Sequence, residues 1–319
     1  MLKEKLFQMF ITGTGKHLDY ALNQGVGGVI FFTRDIKSEK QFTDLINDIK
    51  SKSKTPPFLS IDQEGGRVER TENLHERYMS PMFAFQKGEE FLKRQTSKIA
   101  TELNSFGLNM NFAPCLDVNT NPNNPIIGER AFSSSPDDVC KGYDITSAEF
   151  TKHGIIPVIK HFPGHGDADK DSHKELPEID MSFEELVNMH IYPFKHAILS
   201  GADVVMVAHL HCKCFDTDVI PTSLSHNCIN YLTNTLKFSG IVMSDDMFMN
   251  GVKKFGMTEA CVMGIKAGVN MFIYRDASDE TIKTIEDVLK LAQNDLNLRN
   301  KIEESYSKII SLKTKYGII

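Results

Sequence analysis

An α/β chain closed into a single (β/α)8 TIM barrel is the architecture this sequence predicts, and three observations lead there. Short apolar runs recur at fairly even intervals, each followed by polar or Gly-rich residues and then a longer amphipathic stretch. No Ser/Pro-rich linker, low-complexity tract or short-period repeat breaks the 319 residues, so one catalytic domain over 1–319 is expected. Polar residues also gather at the ends of the apolar runs, where barrel enzymes build their sites.

The runs predict strands at Leu6–Thr12, Gly28–Phe32, Phe58–Asp62, Leu108–Phe112, Ile155–His161, Asp203–Ala208, Gly240–Asp245 and Val269–Tyr274. Helical periodicity falls between them at Ser38–Ser51, Lys87–Phe106, Pro136–His153, Phe183–Ser200, Ser225–Leu236 and Glu259–Ala267, with two more helices within Asp279–Tyr316. A doubly wound open sheet shares this alternation. It usually carries a Gly-rich phosphate loop after an early strand, whereas the glycines of GVGGVIFF precede the apolar run and shape a turn into it.

With 41% hydrophobic residues the chain can bury a large core, and a formal net charge of −6 gives no broad basic surface for nucleic acid or anionic lipid. The apolar stretch of MLKEKLFQMF is too short and interrupted for a signal peptide, and no later run approaches the ~20 residues of a membrane span. Six cysteines without a secretory segment read as reduced thiols. The expectation is a cytoplasmic monomer whose partner is small or neutral, with neither nucleic acid nor membrane as partner.

The densest chemistry lies in KHFPGHGDADKDSHKELP, Lys160 to Pro177, a loop broken by Pro163, Gly164 and Gly166. A solvated polar loop is the plain alternative. Asp171 and His173 stand two residues apart, so the carboxylate can orient the imidazole and leave its second nitrogen to a substrate. Such a ring suits acid/base work near neutral pH. In IVMSDDM, Ile241 to Met247, an apolar strand ends in two carboxylates. Adjacent strand residues face opposite sides, so one of Asp245 and Asp246 points to the rim, and parity alone does not choose. An Asp with no cysteine, serine or metal motif beside it suits attack on a sugar carbon; a helix cap or structural ion pair is the alternative.

In LSIDQEGGRVERT, Leu59 to Thr71, Asp62 and Arg70 can grip hydroxyls or an acyl group while Gly65 and Gly66 turn the backbone. Arg130, after an Asn/Pro-rich loop, points either inward or to solvent.

Taken together, DQEGGRVER, GERAF, KHFPGHGD followed by DSH and LP, and SDD resemble glycoside hydrolase family 3, specifically its single-barrel β-N-acetylglucosaminidases of peptidoglycan recycling. The likeness runs from about Gly27 to Gly268. It implies that Asp245 is the nucleophile, His173 the acid/base and Asp171 its partner, and that Asp62, Arg70, Arg130, Lys160 and His161 hold the N-acetylglucosamine ring. It implies double displacement with retention and no cofactor.

One stretch departs from that pattern: AHLHCKCFDTD, Ala208 to Asp218, puts His209, His211, Cys212 and Cys214 at metal-like spacing. A complete ligand set is missing, so no metal is expected. A metal-dependent barrel hydrolase and a phosphorylase of the same family are the rival readings.

Overall fold

The computed structural model describes residues 1–167 and 176–319. Its strands are β1 (Phe10–Gly13), β2 (Gly28–Phe31), β3 (Phe58–Ile61), β4 (Met110–Asn111), β5 (Ile156–Phe162), β6 (Glu178–Ile179), β7 (Val204–Val207), β8 (His211–Cys212), β9 (Ile241–Asp246) and β10 (Met271–Tyr274). Eight of them form a closed barrel in the order β1-β2-β3-β4-β5-β7-β9-β10, and every pair is parallel. Phe10 beside Phe272 and Ile11 beside Ile273 close the ring. The expected TIM barrel is therefore what the chain forms, with helices around it.

The strand sequences explain the parallel arrangement. GVIF, FLSI and VVMV are buried at every residue, as a sheet covered on both faces requires. The polar exception, Ser60, gives its hydroxyl proton to the Val29 carbonyl at 2.9 Å and so costs the core little.

Helix starts follow local capping chemistry. Ser38 accepts from the Gln41 amide to open Glu39–Lys52, and Ser278 accepts from Thr281 to open Asp279–Asn294. The first of these buries Phe42, Ile46 and Ile49, one face at helical spacing, against the barrel.

Four expectations need correction. The run read as a strand at Leu6–Thr12 is split: Leu2–Phe7 is a helix and β1 begins at Phe10. Between them Gln8 is fully buried, donating to the Gly25 carbonyl at 2.6 Å and accepting from Lys313 at 2.7 Å, which pins the chain before it turns into the barrel. A helix at Leu18–Gln24, ended by Gly25 at φ 83°, went unread. The helix expected from Lys87 starts at Glu89, after a separate short helix at Pro81–Gln86. Finally, Phe183–Ser200 and Ser225–Leu236 are not uniform α-helices, because π-helical turns occupy Leu186–Ile191 and Tyr231–Thr235.

Outside the barrel, β6 and β8 make a small parallel ladder that apolar periodicity does not reveal in two-residue strands. All six cysteines are free thiols. No helix among the described residues is long and apolar enough to cross a membrane.

Candidate active site

Parallel strands bring their C-terminal ends to one rim, and a cleft of about 860 Å³, partly open to solvent, lies there. Its walls include Asp62, Arg70, Arg130, Lys160, His161 and Asp245, so six of the eight residues singled out in the sequence converge. Asp171 and His173 lie outside the described residues.

Just beyond β3, Asp62 accepts from the Lys160 ammonium at 2.7 Å. The same ammonium reaches Glu64 Oε1 at 2.5 Å, and Glu64 takes Arg130 through two bonds of 2.8 Å. Burial works against the charge on Lys160, but Asp62 and Glu64 outweigh it and raise its pKa above the ordinary value. For Glu64 burial again opposes ionisation; Arg130 and Lys160 overcome it and hold the carboxyl well below the usual range. Lys160 and Arg130 thus remain cations in a largely buried polar layer.

The layer continues through His161. Arg130 Nη2 lies 3.3 Å from its Nε2, while its Nδ1 donates to Asp117 Oδ2 at 2.6 Å. Asp117 also accepts from the His165 amide at 2.6 Å and the Cys115 thiol at 3.1 Å. These contacts hold the imidazole plane, and with it the edge turned to the cleft.

Glu64, Asp117 and His165 were not identified from sequence. Glu64 stands two residues beyond Asp62 in the same strand-end motif, and Asp117 is the lone acid of FAPCLDV; those were the available signals. Burial lowers the His165 pKa to about 4, and neither ring nitrogen has a hydrogen-bond partner among the described residues.

Arg70 is oriented by its backbone amide, which donates to Gln63 Oε1 at 2.8 Å, and its guanidinium lies over the Phe32 ring. Its nearest approach to Asp62 is 3.8 Å, and its buried Nε has no partner among the described residues. The expected glycine turn beneath it is real: Gly65 and Gly66 have φ of 96° and 63°, and a Cβ on Gly65 would meet the Met79 carbonyl at 2.3 Å.

The two carboxylates ending β9 have different surroundings. Asp246 Oδ1 accepts from the Phe248 and Arg275 amides, and Oδ2 pairs with the Arg275 guanidinium at 3.3 Å. Burial nevertheless raises its pKa to about 6, because Arg275 is itself about half exposed and its charge is screened. Asp245 accepts from the Asp246 amide at 2.7 Å. Burial pushes its pKa up, but His161, His209, that amide and Lys160 together bring it below the ordinary value. Of the two, Asp245 is the more firmly ionised and has no ion-pair partner within 4.0 Å among the described residues.

Glycosyl hydrolase family 3 N terminal domain is the family model this chain matches, over residues 1–312. The chain belongs to glycosyl hydrolase family 3. Within that family it is 31% identical to β-hexosaminidase A of Pseudoalteromonas piscicida over 322 residues, covering 91% of this chain and 53% of that protein. The β-hexosaminidase of Idiomarina loihiensis is 32% identical over 256 residues, covering 78% and 76% of the two chains. A family 3 β-N-acetylglucosaminidase from Paenibacillus superposes with a TM-score of 0.93 at 29% identity, covering all of this chain and 63% of the other. The chain thus spans about half of the first relative and about three quarters of the second.

The AHLHCKCFDTD segment, expected to depart from the family pattern, is tied into the fold by its own contacts. His209 Nδ1 bonds Ser223 Oγ at 2.6 Å and His211 Nδ1 faces the Ile220 carbonyl at 3.4 Å, whereas the Cys212 and Cys214 sulfurs meet at 3.2 Å. Among the described residues, the group of three donors close enough to share an ion is Cys115, Asp117 and His161, elsewhere in the site.

Proposed function

We propose that this chain is a retaining exo-β-N-acetylglucosaminidase that removes terminal N-acetylglucosamine from peptidoglycan-derived muropeptides in the cytoplasm. The observation that carries the reading is the setting of Asp245: a strand-end carboxylate kept ionised on the wall of a cleft also lined by Arg70, Arg130, Lys160 and His161. Relatives named β-hexosaminidase over most of the chain support the substrate class.

In the proposed reaction, Asp245 attacks the anomeric carbon while the bond to the aglycone oxygen breaks. His173, oriented by Asp171, gives that oxygen its proton. Water then attacks the glycosyl ester, His173 takes the water proton, and Asp245 is released. Asp62, Arg70, Arg130, Lys160 and His161 hold the sugar and its acetamido group, so catalysis rests on positioning and on charge placed around an oxocarbenium-like transition state. No step calls for a cofactor.

Turnover of a chromogenic β-N-acetylglucosaminide, with products identified with and without phosphate, tests the reading. Free N-acetylglucosamine in both conditions is expected. A sugar phosphate as main product would favour phosphorolysis, and activity lost to chelators would favour a metal-dependent hydrolase.

A further inference from the structure

We propose that Cys212 and Cys214 form a reversible thiol–disulfide couple, oxidised by a hydroperoxide, that alters how residues 176–180 are fastened to the barrel rim. The pair begins at β8 and continues into the turn after it, where the Phe215 amide donates back to the Cys212 carbonyl at 3.0 Å. Positions two apart present their side chains to the same side, and the sulfurs stand 3.2 Å apart. A disulfide needs about 2.05 Å, so closing it takes a shift of about 1.1 Å in a surface turn.

The two thiols divide the work of oxidation. Cys115, Cys140, Cys228 and Cys261 are all buried, as is Cys212, and Cys214 alone is partly exposed. Charge on a shared S–H···S pair resides on the better-solvated sulfur. The Cys212 thiol therefore donates to Cys214, which lowers the Cys214 pKa and raises that of Cys212.

Attack of the Cys214 thiolate on a hydroperoxide breaks the O–O bond, leaving a sulfenic acid and an alkoxide that takes a proton to become an alcohol. With its acceptor oxidised, Cys212 gives up its proton and its thiolate attacks the Cys214 sulfur. Hydroxide leaves and is protonated to water. Two thiols lose two electrons, and the peroxide gains them. A ring closed across a single residue is strained, which makes the bond readily reducible and suits a switch better than a staple.

The consequence lies in what β8 holds. Glu178 and Ile179 pair with His211 and Cys212, the His211 amide donates to the Pro177 carbonyl at 2.8 Å, and the Lys213 amide donates to the Ile179 carbonyl at 3.3 Å. The Lys213 ammonium pairs with Glu178 and Asp180, both at 2.7 Å. These contacts are made by Cys212 and its two chain neighbours, His211 and Lys213, and Lys213 lies inside the ring that the disulfide would close.

The test treats the full chain with hydrogen peroxide, alkylates the remaining thiols and maps the tryptic peptides. Cleavage after Lys213 separates the two cysteines, so peptides that stay joined until dithiothreitol is added report the bond. Amide exchange at 178–180 and 211–213 should quicken about tenfold in the oxidised protein and recover on reduction. Cys214→Ser should show no exchange change, and Cys212→Ser should stop at oxidised Cys214 with the ladder unaltered. Both thiols remaining alkylatable, Cys214 over-oxidising alone in the unaltered protein, or a disulfide that leaves exchange unchanged would each overturn the proposal. Neither readout needs substrate, so a failed glycosidase assay would not disturb it.

Discussion

Glu64 holds Arg130 at two points, Oε2 to Nε and Oε1 to Nη2, each at 2.8 Å, with the Glu64 side chain 1% exposed. The same carboxylate reaches Lys160, so removing it leaves the buried Arg130 without a carboxylate partner and Lys160 with Asp62 alone. Glu64→Ala should cost about 3–5 kcal/mol of stability, the usual penalty for breaking a buried ion pair. For a chain of this length that corresponds to a fall in melting temperature of roughly 5–7 °C. Thermal unfolding checks it, and an unchanged midpoint would mean that water replaces Glu64 without loss. Asp62→Asn should be milder, because Asp62 keeps 18% of its side chain exposed and leaves Lys160 paired with Glu64.

The contrast at the end of β9 makes a second prediction. Asp245→Ala should lower turnover of a β-N-acetylglucosaminide by about 10⁴-fold or more, as loss of a nucleophile does, with the melting temperature nearly unchanged. Asp246→Ala should cost about 10²-fold or less, because it disturbs Arg275 and the backbone after β9 and so shifts its neighbour. The reverse order of the two variants would reassign the nucleophile.

Leaving-group chemistry tests the proposed acid. His173→Ala should slow alkyl and sugar aglycones by on the order of 10²–10⁴-fold, because a basic oxygen needs its proton. A nitrophenolate leaves without much help and should be affected far less. Asp171→Ala should show the same pattern with smaller amplitude, since it only orients and tunes the ring. Pre-steady-state glycosylation rates decide, and equal losses on good and poor leaving groups would make His173 a positioning residue instead.

Away from the cleft, Lys313 is fully buried, donating to Gln8 Oε1 and the Pro56 carbonyl at 2.7 and 2.8 Å, and burial lowers its pKa to about 7. In the unfolded chain it titrates near 10.5, so between these values the unfolded state holds more protons and stability rises with pH. The penalty is full below about 7 and relieved toward 10.5. Melting temperature of the unaltered protein should therefore climb relative to Lys313→Met between pH 6.5 and about 9.5, whatever the constant offset between them. Parallel curves would show that the lysine stays charged throughout.

The legible part of this protein was what local pattern encodes. Eight buried runs, each ending near a polar residue, sufficed to place the barrel and to bring Asp62, Lys160, His161 and Asp245 to one rim. Glu64 and Asp117 escaped because their partners Arg130 and His161 lie 66 and 44 residues away, and only the closed barrel makes those pairs. Leu6 and Phe7 escaped for a related reason: an apolar run does not say whether it pairs as a strand or packs as a helix, and here the buried contacts of Gln8 mark the break. Arg130 could have faced water on sequence grounds; its paired carboxylate turns it inward.

The covalent intermediate on Asp245 is the central claim, and trapping tests it most directly. A fluorinated N-acetylglucosaminyl donor with a good leaving group, chosen so that the glycosyl ester forms faster than it hydrolyses, is incubated with the unaltered protein. Intact mass followed by peptide sequencing should show one sugar per chain, attached at Asp245 and absent from Asp245→Ala. A sugar carried on another residue, or full turnover with no adduct and release of an oxazoline from the acetamido group, would contradict the account.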